Sequence, residues 1–171
     1  NGDARPDLLV GAPDFFNTDG PAGGVVMHPG LLNGVAPAWS WRVVSDQESS
    51  RFGASVAAAD VNGDGYDDLL AGAPAYDDGL GGGGAVLVYN GSPSGPAVTP
   101  TLILSAGQMG AEYGESVASA GDVNGDGYDD VIVGAPGYDD AFLNEGKAFV
   151  YLGSASGLST IPVWTATGGQ S

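Results

Sequence analysis

The sequence contains no cysteine, a single histidine and four basic side chains among its 171 residues. The histidine, His28, does not by itself make a zinc site or a catalytic triad, and without cysteine there is no thiol nucleophile. No stretch approaches the ~18 consecutive apolar residues that a membrane-spanning helix needs. The missing cysteine does not fix the cellular compartment, because its absence is compatible with an extracellular or a cytosolic protein.

The scarcity of basic residues leaves a formal net charge of −17, since 21 side chains are acidic. A chain this acidic is expected to repel nucleic acids and anionic membranes. Its hydrophobic content of 43% argues against a disordered acidic tail. Because the acidic residues recur at fixed spacings, we expect a folded domain whose carboxylates bind cations.

Internal repetition dominates the sequence and predicts a repeat architecture. Three segments align, each with an Asp/Asn-rich loop, an apolar run and Gly-Ala-Pro: Asn1–Pro13, Asp60–Pro74 and Asp122–Pro136. The equivalent residues Asn1, Asn62 and Asn124 lie 61 and 62 residues apart, and Gly-Ala-Pro begins ten residues after each of them.

Each full repeat contains four short apolar runs separated by turn residues, and no segment shows a sustained helical period. In the second copy the runs begin with small residues at 54–58 and continue with Leu69–Ala73 and Ala85–Tyr89. Small residues inside and bulky residues outside suit the taper of a wedge-shaped blade. The sequence therefore predicts an all-β protein of four-stranded antiparallel β-propeller blades, about three repeats in all. Copies of a β-sandwich hairpin unit are the alternative.

The repeat period predicts a partial blade, with strands two to four, at residues 1–50, and whole blades at 51–111 and 112–171. Together these form one repeat domain. A closed propeller has typically four to eight blades, so about three cannot close a ring. We expect the chain to be part of a longer protein; a ring or an open array of copies is the alternative.

Oxygen-bearing residues recur in the connection between the first and second strands of a repeat. Positions 1, 3, 5 and 9 of this loop carry Asp or Asn, position 6 is a glycine that permits a sharp turn, and position 7 offers a backbone carbonyl. The predicted ligands are Asp60, Asn62, Asp64, the Tyr66 carbonyl and Asp68 in the second copy, and Asp122, Asn124, Asp126, the Tyr128 carbonyl and Asp130 in the third. Six to seven hard oxygen ligands are what Ca²⁺ prefers, whereas Mg²⁺ demands near-octahedral geometry and keeps its waters.

An EF-hand and a turn without an ion are the two alternative interpretations of these loops. An EF-hand needs a glutamate at position 12 between two helices, but Ala71 and Val133 stand there within apolar runs. An Asp/Asn/Gly turn without an ion is the second alternative, because those residues favour turns. Recurrence of the whole pattern in two copies favours calcium.

Two further motifs flank the acidic loops. Phe52-Gly53 and Tyr113-Gly114 precede them, and Gly72-Ala73-Pro74 and Gly134-Ala135-Pro136 follow them. This order resembles the FG-GAP repeat of integrin α-subunit propellers and their bacterial relatives, over essentially the whole chain. The resemblance implies blades around an axis, Ca²⁺ in the loops of one face, an extracellular setting and a role in adhesion or ligand binding.

The first copy departs from this pattern because the chain begins at loop position 3. Asn1, Asp3, the Arg5 carbonyl and Asp7 remain as predicted ligands, while Ala4 replaces the glycine of position 6. We expect this incomplete site to bind calcium weakly unless a preceding residue or another chain supplies the missing ligand.

No catalytic constellation is visible, so we expect a non-enzymatic, calcium-binding extracellular scaffold. The acidic pairs Asp77-Asp78 and Asp139-Asp140 recur at one repeat position, which favours a structural or solvated role over acid–base catalysis. The loops between the second and third strands vary between copies and carry aromatics, so we expect a protein or glycan ligand there: residues 15–23, 76–84 and 138–146. A self-assembling structural module is the alternative, and an accessory domain of an extracellular hydrolase comes third.

Overall fold

The computed structural model describes residues 5–16, 20–79 and 81–169. These residues form an all-β structure, and no helix among them is long and apolar enough to cross a membrane. The strands are β1 (Leu8–Ala12), β2 (Gly24–His28), β3 (Gly30–Leu31), β4 (Gly34–Val35), β5 (Trp41–Val44), β6 (Ser55–Ala59), β7 (Asp68–Ala73), β8 (Ala85–Tyr89), β9 (Leu102–Leu104), β10 (Ser116–Gly121), β11 (Asp130–Ala135), β12 (Lys147–Tyr151) and β13 (Trp164–Thr167).

Neighbouring strands pair antiparallel in three successive sheets, each in chain order. Blade 1 is the three-stranded sheet β1-β2-β5, while blade 2 is β6-β7-β8-β9 and blade 3 is β10-β11-β12-β13. The short strands β3 and β4 form a separate hairpin between β2 and β5. This architecture confirms the predicted four-stranded antiparallel blades. The assignment of blade 1 to strands two to four of a repeat stays a prediction. The boundaries placed after residues 50 and 111 stay a prediction.

The hydrophobic core lies between the sheets and not within any one of them. One cluster joins blade 1 to blade 2, and a second joins blade 2 to blade 3. Only blade 2 has a sheet against both faces, and its strands β7 and β8 are accordingly buried at every position. In the outer blades one face of the same strands is open, as Leu8 in β1 and Ile132 in β11 show with exposed fractions of 48% and 36%.

The antiparallel order places successive loops at opposite ends of the blades. The acidic loops 60–68 and 122–130 share one end with the connections between the third and fourth strands, because Asp68 accepts a hydrogen bond from the Gly91 amide and Asp130 one from Gly153. At the other end, the loops between the second and third strands meet the connections between blades. One end of the blades therefore carries the acidic loops, and the other end carries the loops between the second and third strands.

Candidate metal-binding loops and the contacts between blades

The Phe/Tyr-Gly and Gly-Ala-Pro motifs meet where one blade packs on the next. Phe52 and Tyr113 are fully buried. A side-chain carbon at Gly72 would lie 1.9 Å from the carbonyl oxygen of Gly114 in the following blade, and one at Gly11 would lie 2.1 Å from that of Gly53. Glycine is therefore required at positions 11 and 72, because the next blade's Phe/Tyr-Gly backbone occupies the space of a side chain. The sequence pattern identified both motifs but not this contact.

A glutamine clamp also joins successive blades, at the end opposite the acidic loops. The Gln47 side chain donates to the Asp77 carbonyl at 2.9 Å and accepts from the Asp77 amide at 2.8 Å. Gln108 holds Asp139 of blade 3 in the same way, at 2.8 and 2.6 Å. Sequence reasoning missed this clamp, although both glutamines occupy one repeat position.

The acidic pairs at these positions have a structural role. The Asp77 carboxylate accepts hydrogen bonds from the amides of Gly81 and Gly79, which hold its pKa below the usual range. The Asp139 carboxylate accepts from the Asn144 amide at 2.6 Å. Each carboxylate therefore shapes the loop that follows it, as the recurrence of the pair indicates.

Loop 60–68 is held by hydrogen bonds from its own amides to its own side chains. Asp60 accepts from the amides of Gly63, Asp64 and Gly65 at 2.8, 3.1 and 2.9 Å. The Asn62 side chain accepts from the Asp64 amide, and the Asp64 side chain accepts from the Tyr66 amide, each at 2.9 Å. Gly65, with a φ of 86°, makes the sharp turn predicted at position 6. Positions 1, 3 and 5 are thus fixed by the loop backbone.

Loop 122–130 repeats the bonds from its backbone amides to the side chains at positions 1, 3 and 5, although the Asn124 side chain donates to Asp126 whereas Asn62 donates to Asp68. Asp122 accepts from the amides at positions 4, 5 and 6, at 2.7, 3.0 and 2.8 Å, and these bonds, that of Gly127 first, hold its pKa below the usual range. Asn124 accepts from the Asp126 amide at 3.0 Å, and Asp126 accepts from the Tyr128 amide at 3.1 Å. The two loops therefore share a conformation as well as a sequence.

The aspartate at position 9 of each loop is buried at the start of a strand. Asp68 accepts from the amides of Val61 and Gly91 at 3.2 and 2.8 Å. Burial raises its pKa to about 6, while the Gly91 and Val61 amides lower it and the carboxylates of Asp64 and Asp60 raise it further. The negative charges of Asp64 and Asp60 therefore disfavour the ionised form of Asp68.

The same position is structurally equivalent in all three copies. Asp130 is fully buried and accepts from the amides of Val123 and Gly153, each at 2.9 Å. Asp7, in the incomplete first copy, accepts from the Gly30 amide at 2.9 Å. Arg5 is exposed, and the two other predicted ligands of that copy, Asn1 and Asp3, lie outside the described residues.

The loops fit calcium in the chemistry of their donors. Asp, Asn and backbone carbonyl oxygens are the hard ligands that Ca²⁺ takes. Within residues 5–16, 20–79 and 81–169, however, no three acidic or histidine side chains converge into a metal-holding group. The structure thus brings each ligand set together on one ordered loop, with its carboxylates engaged by amides and not closed into a cage.

Substitutions at positions 5 and 9 are expected to have different effects. Asp68→Ala leaves the half-buried Gly91 amide without its acceptor and removes one of the two acceptors of the Val61 amide, which keeps the Ala59 carbonyl. We therefore expect a loss of about 2 kcal/mol of unfolding free energy, with or without calcium. Asp64→Ala removes an exposed side chain that accepts only the Tyr66 amide, so we expect less than about 1 kcal/mol in a chelator.

Urea unfolding of both variants in EDTA measures this difference. The variant Asp68→Asn is the matched control, because it retains an oxygen that accepts the Gly91 amide. Equal destabilisation by Asp64→Ala and Asp68→Ala in EDTA would contradict the assignment of Asp68 as a structural acceptor.

Comparisons with known proteins agree with this structure. The family model described as FG-GAP repeat matches residues 52–89 and 113–152. Mouse integrin alpha-IIb is 39% identical in an alignment 150 residues long that covers 74% of this chain and 14% of the relative. Integrin alpha-5 of Xenopus laevis is 35% identical over 165 residues, 94% of this chain and 15% of the relative.

Human integrin alpha-6 is 44% identical over 121 residues, 70% of this chain and 10% of the relative. The chain therefore spans only about a seventh of these relatives' length or less. The matched repeats contain the buried Phe/Tyr-Gly motif, the acidic loop and Gly-Ala-Pro described above, on four-stranded blades. The chain belongs to the FG-GAP repeat family.

Proposed function

We propose that this chain is a non-enzymatic, calcium-stabilised scaffold that presents a ligand-binding surface outside the cell. Its calcium ligands are those of loops 60–68 and 122–130, with a weaker site in the first copy, where Ala4 stands in place of the position 6 glycine. The blades are assigned to residues 1–50, 51–111 and 112–171. The similarity to integrin α subunits supports an adhesion or ligand-binding role at the cell surface or in a secreted protein.

The observation that carries the calcium proposal is that the two acidic loops share the hydrogen bonds from backbone amides to the side chains at positions 1, 3 and 5. In both, amides fix the side chains at positions 1, 3 and 5, and the buried aspartate of position 9 lies at the start of the next strand. An aspartate that only made a turn would not need two further acidic groups within electrostatic range, because their mutual repulsion costs free energy.

In each loop the residues hold the ion between two strands. The side chains at positions 1, 3 and 5 belong to the connection, while Asp68 and Asp130 belong to β7 and β11. Bound calcium supplies two positive charges that offset the repulsion among the carboxylates. The loops therefore contribute to stability and do not take part in a reaction.

Calorimetric titration with Ca²⁺ tests this proposal. We expect binding to loops 60–68 and 122–130, with weaker binding of Mg²⁺ under the same conditions. Asp64→Ala and Asp126→Ala are matched variants, because each removes the position 5 ligand of one loop. Absence of a binding isotherm at millimolar Ca²⁺ would contradict the proposal.

The proposed ligand surface lies at the end opposite the acidic loops. Phe16, Phe142 and Leu143 are exposed there by 68%, 57% and 82%. The glutamine clamps fix the loops of blades 2 and 3 to the preceding blades, so variable side chains stand on a rigid base. This arrangement supports binding of a protein or a glycan.

Paired substitution of the two exposed side chains of blade 3 tests this surface. We expect Phe142→Ser with Leu143→Ser to reduce adhesion of cells or glycan-coated beads to the immobilised chain by at least tenfold, with little change in thermal stability. The matched control is Val98→Ser, an equally exposed position in a loop at the acidic end. Equal adhesion of all variants would contradict the placement of the ligand surface.

Self-assembly is a second candidate function that a specific observation favours. In blade 3, Ile132, Val150 and Trp164 lie side by side across three strands on the face that no blade covers. Blade 1 exposes Leu8 and Val10 on its own open face. Light scattering separates the two functions, because a scaffold stays monomeric whereas a self-assembling module gains mass with concentration.

A further inference from the structure

The two acidic loops are in direct contact across the boundary between blades 2 and 3. The Asp60 amide donates to the Asp129 carboxylate at 3.3 Å, and the Asp129 amide donates to the Asp60 carbonyl at 3.1 Å. Asp129 is position 8 of its own loop, where no ligand was predicted. It instead pairs with position 1 of the loop in the preceding blade.

Further contacts support the same junction. The Tyr128 ring lies against Gly63, so closely that a side-chain carbon on Gly63 would be 2.7 Å from the ring. The Val61 carbonyl accepts from the Ser154 amide at 3.0 Å, and the Val61 side chain is buried in the core between blades 2 and 3. Loop 60–68 is thus held at positions 1, 2 and 4 by blade 3.

The residues that make these contacts also belong to the neighbouring site. Tyr128 is position 7 of loop 122–130 and offers its carbonyl there, while its ring packs on the other loop. Asp129 stands between Tyr128 and the buried ligand Asp130. An ion that fixes positions 7 and 9 of loop 122–130 therefore also fixes the side chains that hold Asp60 and Gly63.

We propose that Asp129 and Tyr128 are positioning residues for the calcium site of the preceding blade and couple the two sites. This inference rests on the proposed calcium function. Binding in loop 122–130 raises the affinity of loop 60–68, and the reverse effect has the same magnitude, because coupling free energies are reciprocal. Neither residue contacts the ion of loop 60–68; each acts through the backbone of that loop.

A site-resolved calcium titration tests the coupling. The amides of Gly65 and Gly127, followed in ¹H–¹⁵N spectra of the whole chain, report on loops 60–68 and 122–130 separately. Asp126→Ala disables loop 122–130 without removing Asp129 or Tyr128. We expect this variant to bind calcium in loop 60–68 at least about fivefold more weakly, the lower end of typical coupling between sites. Asp64→Ala should weaken loop 122–130 by a similar factor.

Variants at the junction separate positioning from general stabilisation. We expect Asp129→Ala to weaken loop 60–68, whereas Asp129→Asn, which retains an oxygen for the Asp60 amide, restores its affinity to within about twofold. The melting temperatures of both variants in EDTA show whether folding is intact. In the Asp126→Ala background, Asp129→Ala should weaken loop 60–68 by a smaller factor than in the wild type, since the coupling is already lost.

The outcomes distinguish this inference from the proposed function on which it rests. If both loops bind calcium and loop 60–68 has the same affinity in the wild type and in Asp126→Ala, the coupling is refuted while the calcium scaffold stands. If neither loop binds calcium in the wild type, both are refuted. Weaker calcium binding by loop 60–68 in Asp126→Ala and by loop 122–130 in Asp64→Ala, with affinity restored by Asp129→Asn, supports the coupling.

Discussion

Gly72→Ala is expected to lower the melting temperature of the chain by about 6–12 °C, equivalent to roughly 3 kcal/mol for a domain of this size. The added methyl group would lie 1.9 Å from the Gly114 carbonyl oxygen and 2.3 Å from the Ser55 hydroxyl. The first contact is with a backbone oxygen, which no side-chain rotation can move aside. Relief therefore requires blades 2 and 3 to separate, at the expense of the core between them.

Gly134→Ala is the matched control for this substitution. Gly134 occupies the same position in blade 3, but the methyl group there meets only Ser116, whose hydroxyl at 2.4 Å can rotate away. We expect a loss below about 1 kcal/mol. Thermal unfolding of both variants in the same buffer makes the comparison. Equal losses of unfolding free energy would contradict the close contact assigned to Gly72 and the backbone of the next blade.

Removal of calcium is expected to have the largest effect. An ion that binds only the folded chain at about 100 times its dissociation constant adds about 2.7 kcal/mol, so two such sites add about 5 kcal/mol. This corresponds to a fall of about 10–20 °C in melting temperature when EDTA replaces calcium. Calorimetric scans of the wild-type chain in 1 mM CaCl₂ (about that excess for a ~10 μM site) and in EDTA measure it.

The doubly substituted chain Asp64→Ala with Asp126→Ala is the control for chelation. It lacks the position 5 ligand in both complete loops, and the structure gives those side chains few other contacts. We expect its melting temperature to be nearly the same in calcium and in EDTA. A wild-type chain that also melts at one temperature in both buffers would show that the loops are ordered by their amides alone.

Much of this fold could be predicted from the sequence, because the same pattern of apolar runs and turn residues recurs in each repeat. The strands expected at Leu69–Ala73 and Ala85–Tyr89 agree with β7 and β8 to within one residue. Their continuous apolar character reflects a sheet against each face of blade 2. The sequence pattern could not show that blades 1 and 3 each leave one such face open, since burial depends on neighbours and not on composition.

The sequence pattern did not predict the contacts between repeats. The Gln47–Asp77 clamp pairs residues 30 apart, and the Asp60–Asp129 junction pairs residues 69 apart. Neither spacing equals the repeat period, so an alignment of repeats does not place the partners side by side. The signal was present in the recurrence of glutamine at 47 and 108, which indicates a contact made once per blade.

The hairpin β3–β4 was also not predicted, because the first copy differs from the other two at this point of the repeat. The repeats match elsewhere in the connection between the third and fourth strands, but blade 1 has Leu-Leu-Asn-Gly there. An Asn-Gly pair favours a tight turn between strands. Leu-Leu-Asn-Gly stands where the other copies have Ser-Pro-Ser-Gly and Ser-Ala-Ser-Gly, so alignment of the copies does not predict this hairpin.

The number of calcium ions bound to each variant tests the central claim most directly. Native mass spectrometry at about 0.2 mM free calcium, about 20 times the dissociation constant of a ~10 μM site, should find two ions on the wild-type chain, one on Asp64→Ala, one on Asp126→Ala and none on the double variant. A wild-type chain without bound ions, or a double variant that still holds two, would contradict the assignment of the two acidic loops as the calcium sites.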